Sequence, residues 1–305
     1  MRFPSGIMAT CCIPWNEKFV LDEKIFRKSI KEILKHTSLI YIFGTAGEGY
    51  ALSRENYTNI ISVFSDEMKR AGADPIVGVI GTSLSEILQR IQIAKDIGVE
   101  SFQISLPSWE ALNRDETNVF FREVLTSFSS SKFFVYNLIR AGRIISADEF
   151  AELSEKYPNV SAAKITSDST RYIESLMSLN LPMKFFFTSP GYAYASMIND
   201  CGLLISLESC NWETAKEYYR AGVNHDLEKL LLLQSELGQL TRSLIACVGN
   251  TGHIDGSYDK MFQKLHIPEF PLRLLPPYSY PPDSIFESFK EILQNEFPRW
   301  YNPNH

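Results

Sequence analysis

Eight short apolar runs alternate with longer amphipathic stretches, and this alternation limits the folds that the chain can adopt. Alternation of this kind is typical of a parallel sheet built from βα units. Eight units favour an α/β fold of the (β/α)8 TIM barrel type over an open doubly wound sheet, which usually has fewer strands and a GxGxxG fingerprint that this sequence lacks. The predicted strands are GIMATC (6–11), LIYIF (39–43), PIVGVI (75–80), ESFQISL (100–106), KFFVYN (132–137), VSAAKI (160–165), MKFFFT (183–188) and GLLIS (202–206).

Capping signals mark the helices between these runs. Serine followed three residues later by glutamate is a capping box, and a glycine shortly before the next strand is a stop signal. The predicted signals are the boxes Ser83–Glu86 and Ser146–Glu149, the caps Asp22 and Ser53, and the stops Gly72 and Gly98.

The pattern changes to helix alone after Gly222. A long helical stretch at 226–248 is followed by a shorter one from Ser257, a proline-rich segment and a last helix at about 284–297. A separate domain would need a clearer linker than 221–225 provides. We therefore predict a barrel over 1–225 and a C-terminal helical extension over 226–305 that packs on the barrel.

Composition narrows the partners of the protein. The 305 residues carry a net charge of -6 with scattered basic residues, which argues against a nucleic-acid or anionic-membrane surface. No apolar run is long enough to cross a bilayer, and the N-terminus has no signal-like core. The five cysteines form no CxxC pair and the histidines have no ligand spacing. We expect a cytoplasmic protein with reduced thiols, a small-molecule partner and no bound metal or cofactor.

Two predicted strand ends carry groups that are informative together and ambiguous alone. The loop GTAGEG (44–49) could present Thr45 and several backbone N–H groups to an anion, or it could be a plain glycine turn. Tyr136 ends the fifth strand, where its alternative role is that of a half-buried aromatic. In a barrel, both positions lie at the catalytic face.

Lys164 in the sixth strand is harder to explain by packing. Burying an ammonium group without a partner is unfavourable by several kcal/mol, so a buried lysine tends to be neutral and nucleophilic. The alternatives are an outward-facing lysine or an ion pair beneath a helix. A neutral lysine, a tyrosine that moves protons and a loop that holds a carboxylate are together the equipment of a Schiff-base aldolase acting on a keto acid.

These residues resemble the dihydrodipicolinate synthase and N-acetylneuraminate lyase family of class I aldolases. GTAGE, YN, AAKITSD and GLLIS occur in the order and spacing of the family's motifs, over roughly residues 5–225. The resemblance implies a (β/α)8 barrel that forms a homo-oligomer, usually a tetramer of two tight dimers. It also implies Lys164 as the imine-forming nucleophile, Tyr136 as the acid/base, Thr45 and Ala46 as carboxylate ligands, and a backbone contact from Ile205.

Three departures from the family pattern bear on the substrate. Ala46 replaces a hydroxyl residue, and NLIRAGR replaces NxPxR, so a distal carboxylate could be held by Arg140, by Arg143 or by neither. LPSW replaces a segment whose second tyrosine completes a proton relay in the synthases. Trp109 stands there, and an indole N–H donates but cannot shuttle a proton.

We therefore expect a lyase or dehydratase that acts on a 2-keto-3-deoxy sugar acid or a related compound, with Trp109 and Tyr50 facing the substrate. One alternative is condensation of pyruvate with an aldehyde. The other is a keto-acid-binding barrel that has lost turnover.

Overall fold

The computed structural model of the protein describes residues 3–249 and 253–302. Eight parallel strands close into a barrel in chain order, with β8 paired to β1. The (β/α)8 prediction is confirmed, and every predicted strand lies within two residues of an observed one. The strands are β1 (Ile7–Thr10), β2 (Ile40–Ile42), β3 (Ile76–Gly78), β4 (Ser101–Ile104), β5 (Lys132–Asn137), β6 (Val160–Ile165), β7 (Lys184–Phe187) and β8 (Gly202–Ile205).

A helix follows each strand, and three more helices follow the barrel. The barrel helices are α1 (Glu23–Leu34), α2 (Arg54–Arg70), α3 (Leu84–Asp96), α4 (Arg114–Ser127), α5 (Ala147–Lys156), α6 (Thr170–Ser178), α7 (Ser189–Ala195) and α8 (Trp212–Val223). The extension contains α9 (Leu227–Val248), α10 (Asp255–His266) and α11 (Asp283–Glu296).

Most of the capping signals act as the sequence predicts. Asp22 and Ser53 accept the N–H groups that open α1 and α2, and Ser146 with Glu149 forms a reciprocal box at α5. Gly72 and Gly98 have φ of +70° and +83°, as helix-ending glycines do. The Ser83–Glu86 box is only half formed, because the Glu86 carboxylate accepts from the N–H of Thr82 instead of Ser83.

The interior of the barrel is a separate apolar layer. It consists of Met8, Tyr41, Ile76, Phe134, Ala162, Phe186 and Leu204, all nearly inaccessible to solvent. Successive side chains of a strand alternate between its faces, so residues two positions later point to the same side. Five of these residues are Thr10, Tyr136, Lys164, Thr188 and Ser206, and the other two are Phe43 and Gly78. The next layer towards the C-terminal face is therefore mostly polar.

The helical extension shares the hydrophobic core of the barrel. Leu230, Phe289 and Trp300 belong to the same cluster of buried side chains as the outward-facing strand residues. Among the described residues, no strand follows Ile205. The core is thus continuous across the predicted boundary at residue 225. No helix in the part of the chain that the structure describes is long and apolar enough to cross a membrane.

Candidate active site

The polar layer opens into a cavity of about 280 Å³ at the C-terminal face of the barrel. Its walls include the five polar residues that stand two positions beyond the apolar layer, together with Thr45, Ala46 and Arg140. The C-terminal face is where barrels of this kind carry their active sites. The cavity is therefore the candidate active site.

Lys164 lies at the floor of this cavity and is 2% exposed. Its Nζ donates to Oε1 of Gln103 at 2.7 Å, and it lies 3.8 Å from the ring centroids of both Tyr41 and Tyr136. Burial holds the pKa of Lys164 well below its ordinary value, against the opposing effect of the Asp259 and Asp255 carboxylates. A buried amine of low pKa has its lone pair free for attack on a carbonyl carbon.

Tyr136 and Thr45 meet across the barrel mouth. Tyr136 pairs with Lys164 in the register of β5 and β6, and its hydroxyl lies 3.3 Å from Oγ1 of Thr45. Burial raises the pKa of Tyr136 to about 12, although the hydrogen bond with Thr45 opposes this. The phenol is therefore protonated at neutral pH and can donate a proton beside the amine.

The loop GTAGEG is folded tightly enough to require glycine. A Cβ atom at Gly47 would lie 2.6 Å from the backbone N of Phe43, and one at Gly49 would lie 2.5 Å from its carbonyl oxygen. Within the described residues, the N–H groups of Thr45 and Ala46 donate to no other group. Free N–H groups at a cavity wall are suited to bind a carboxylate.

The two candidate arginines have different surroundings. Arg140 lines the cavity and forms a bidentate pair with Asp255, at 2.8 and 2.9 Å. Arg143 lies outside the cavity wall and pairs with Glu149. A carboxylate already occupies the guanidinium of Arg140, so Arg140 is a poor receptor for a second one.

The structure brings together six of the residues predicted for the site. Thr45, Ala46, Tyr136, Arg140, Lys164 and Ile205 line one cavity. Trp109 does not join them: its side chain is 88% exposed on the loop after β4, and it lines neither this cavity nor the adjoining one. A loop beyond the strand end is free to point away from the barrel axis, and sequence alone could not reveal its direction.

The adjoining cavity, of about 310 Å³, shares Thr45, Leu138 and Arg140 with the first. Tyr50, Ser105, Ser108 and Tyr278 contribute to its walls. Hydroxyl groups predominate among its polar side chains, with Arg140 as the charged one. Tyr50, which was expected to face the substrate, therefore stands beside the site instead of inside the first cavity.

Helix α10 covers one side of the mouth, and its contribution was not predicted. Lys260 donates to Oε1 of Glu48 at 2.6 Å, and both side chains are fully buried. Trp15 Nε1 and the N–H of Leu275 also donate to Glu48, at 2.8 and 2.6 Å. Because Glu48 belongs to the GTAGEG loop, this ion pair fastens α10 to the loop that carries Thr45.

Sequence reasoning missed Gln103, Asp255 and Asp259. Gln103 had a usable signal, since a polar residue in the middle of the run ESFQISL resembles Lys164 in its own strand. Asp255 and Asp259 lie one turn apart on α10 and line the cavity. They follow no motif, and only the folding of the extension over the barrel places them there.

Comparisons with known proteins point to one family. A model of the dihydrodipicolinate synthetase family matches residues 3–249. An N-acetylneuraminate lyase of Clostridium perfringens is 23% identical over 244 residues, which cover 77% of this chain and 82% of that lyase. A 4-hydroxy-tetrahydrodipicolinate synthase of Oleidesulfovibrio alaskensis is 21% identical over 249 residues, covering 80% and 84% of the two chains.

Solved structures show the same fold. The structure of a catalytic lysine mutant of a Ruminococcus gnavus sialic acid aldolase superposes with a TM-score of 0.82 at 16% identity. The superposition covers 96% of this chain and 97% of the aldolase.

Proposed function

Since the chain belongs to the dihydrodipicolinate synthetase family and is a lyase, we propose that it is a class I enzyme that cleaves or dehydrates a 2-keto acid through an imine on Lys164. The observation that carries the proposal is the buried amine of Lys164, held by Gln103 at 2.7 Å and facing the same cavity as Tyr136 and Thr45. Among the described residues, Lys164 has no carboxylate within 4 Å, and its hydrogen-bond partner is the neutral amide of Gln103. Nucleophilic attack explains its burial better than packing does.

The free N–H groups of Thr45 and Ala46 hold the carboxylate of the keto acid beside the lysine. The nitrogen lone pair of Lys164 attacks the C2 carbonyl carbon, and a proton passes from the attacking nitrogen to the carbonyl oxygen. Tyr136 then protonates the resulting hydroxyl, which leaves as water, and the nitrogen lone pair forms the C=N bond of the imine. Tyr136 suits this step because its ring centroid lies 3.8 Å from the amine and its hydroxyl is protonated at neutral pH.

Two outcomes follow from the protonated imine. In cleavage, the C4 hydroxyl loses its proton to Tyr136, and the C3–C4 electron pair moves to C2–C3. The aldehyde is released, and the enamine of pyruvate remains on Lys164. In dehydration, C3 loses a proton to a base of the cavity, and the Tyr136 phenolate regains a proton from solvent. Tyr136 then protonates the C4 hydroxyl, which leaves as water. Both outcomes use one imine and one phenol.

The part of the substrate beyond C4 is proposed to be uncharged and rich in hydroxyl groups, as in a 2-keto-3-deoxy sugar acid. Asp255 neutralises Arg140, and hydroxyl groups line the adjoining cavity. The similarity to an N-acetylneuraminate lyase supports a sugar-derived substrate.

Condensation of pyruvate with an aldehyde is the second reading, and the similarity to the O. alaskensis synthase supports it. Trp109 offers no phenol for the synthase relay, so we rank cleavage or dehydration first. We further propose that the protein works in the cytoplasm without a cofactor, as a homodimer or homotetramer, because the family resemblance implies an oligomer.

A panel of 2-keto acids tests this proposal. We expect compounds with a neutral polyhydroxyl chain to release pyruvate, or to yield a dehydrated keto acid, faster than compounds with a second carboxylate. Lys164→Met, which replaces the amine by an apolar chain of similar length, should remove this activity. If no compound reacts although the folded protein forms a pyruvyl adduct, the result contradicts turnover and favours a barrel that only binds keto acids.

A further inference from the structure

Asp259 is a buried carboxyl group of the site to which the proposed reaction assigns no task. It is 8% exposed and lines the same cavity as Lys164. Within the described residues it has no ion pair within 4 Å, although its helix neighbour Lys260 has one. Burying an acid without a cationic partner is unfavourable, and the fold does not require it.

The orientation of Asp259 is fixed from two sides. Ser206 Oγ, directly after β8, donates to its Oδ1 at 2.7 Å. The Lys260–Glu48 pair, one residue along α10, fixes the helix itself. A carboxyl group held by both a strand end and a helix is positioned as a reacting group must be.

Asp259 and Tyr136 approach Lys164 from different sides. Tyr136 lies on β5, next to β6, whereas Ser206 and Asp259 lie at β8, two strands away in the other direction. A planar imine on Lys164 has two faces, and the two acid/base groups stand at different edges of the cavity. One group can therefore serve the C4 oxygen while the other serves C3.

Asp259 also lies between the active-site cavity and a second cavity. It lines a second, small cavity of about 20 Å³ with Gln263 and His266, and this cavity shares Ser206 with the active site. A cavity of this size has room for a water molecule. A proton held by Asp259 thus has a polar route away from the keto acid.

We propose that Asp259 is a catalytic residue that exchanges a proton with C3 of the keto acid bound to Lys164. This inference rests on the proposed function. The Asp259 carboxylate takes a proton from C3, and the C–H electron pair forms the C2–C3 double bond. The C=N π pair moves to the Lys164 nitrogen, which yields the neutral enamine. In the reverse direction the Asp259 carboxyl group returns the proton to C3, so no further reactant is needed.

The charge state of Asp259 suits both directions. Burial raises the pKa of Asp259 to about 7, with a hydrogen bond from Ser206 opposing the rise and Asp255 and Glu208 adding to it. Other titratable groups that interact with it include Tyr41, Tyr136, Cys12 and Cys210, and burial raises the pKa of each. At neutral pH Asp259 therefore exists in both the proton-accepting and the proton-donating form.

Exchange of the methyl protons of pyruvate in deuterium oxide tests the proposal on the full chain without knowledge of the second substrate. We expect the wild type to catalyse this exchange, followed by proton NMR, with a rate that rises through about pH 7. Asp259→Asn keeps the shape of the side chain and its acceptor for Ser206. It should slow exchange by at least about tenfold and remove the rise near pH 7.

Two measurements separate catalysis from structure. Glu208→Gln is the matched control, because Glu208 is also buried and accepts the N–H of Ser206 but lies outside the cavity wall. The exchange rate of this variant should still rise near pH 7. The pKa of Asp259 is higher in the folded than in the unfolded chain, so protonated Asp259 favours the folded state. The wild type loses this contribution to its stability as the pH rises from about 4 to about 7. Asp259→Asn should therefore fold, with a higher melting temperature than the wild type at pH 8.

Borohydride reduction with pyruvate identifies the reason for a negative result. We expect a pyruvyl adduct on Lys164 in both the wild type and Asp259→Asn. An Asp259→Asn variant with unchanged exchange and an unchanged pH profile would overturn the assignment, as would a folded variant that forms no adduct. If the wild type itself forms no adduct, the imine function fails and the role of Asp259 fails with it.

Discussion

Replacing Tyr136 with phenylalanine is expected to slow turnover by a factor of about 10² to 10⁴, the range for a lost general acid/base. The ring that packs against Lys164 Nζ at 3.8 Å remains, so the pKa of the lysine stays low. Only the hydroxyl, 3.3 Å from Thr45, is removed. The loss should appear in kcat for the best substrate of the keto-acid panel, with a smaller change in KM.

Tyr192→Phe is the matched control for this variant. Tyr192 is also buried, and its hydroxyl donates to the carbonyl of Tyr219 at 2.5 Å, away from the cavity. The control should retain kcat per folded molecule even if its stability falls. Unchanged kcat in Tyr136→Phe would show that Tyr136 serves only in packing.

Breaking the buried pair of Lys260 and Glu48 is expected to have the largest effect on stability. Lys260→Met leaves a carboxylate in an inaccessible site with only the Trp15 and Leu275 donors at 2.8 and 2.6 Å. Removing one partner of a buried ion pair typically destabilises a protein by about 3 to 5 kcal/mol. We expect a decrease of this size in the free energy of unfolding, measured by urea titration.

The double variant Glu48→Gln with Lys260→Met should recover much of this loss, because glutamine still accepts from Trp15 and leaves no charge buried. Lys28→Met is the exposed counterpart, since Lys28 and Glu269 form a solvent-accessible pair at 2.5 Å, and it should cost less than about 1 kcal/mol. If Lys260→Met proved as mild as Lys28→Met, the pair would not fasten α10 to the GTAGEG loop.

The parts of the site that lie on strands could be predicted from the sequence. Tyr136 and Lys164 stand two positions beyond Phe134 and Ala162, and the alternation of a strand fixes the direction of each side chain. Strand order then brings β5 and β6 together, so the pairing of Tyr136 with Lys164 follows from the fold class. The same logic applied to Gln103 would have found the hydrogen-bond acceptor of the lysine.

The parts that depend on loops and on the extension could not be predicted in the same way. Whether Arg140 or Arg143 faces the cavity depends on a short turn after β5, and the pairing of Arg140 with Asp255 joins residues 115 positions apart. Asp259 reaches the site because α10 crosses the barrel mouth, where the Lys260–Glu48 pair and the hydrogen bond from Ser206 hold it. Trp109 occupies a motif position, but that position lies on a loop. The motif therefore does not fix the direction of its side chain.

Borohydride reduction in the presence of pyruvate, followed by mass spectrometry of the digested protein, tests the central claim most directly. The imine account predicts one pyruvyl adduct, on the peptide that contains Lys164, and none in Lys164→Met. Lys184 and Lys260 are also buried, but each is paired with a carboxylate, so they should stay unmodified. Absence of the adduct from the folded wild type, or its location on another lysine, would contradict the account.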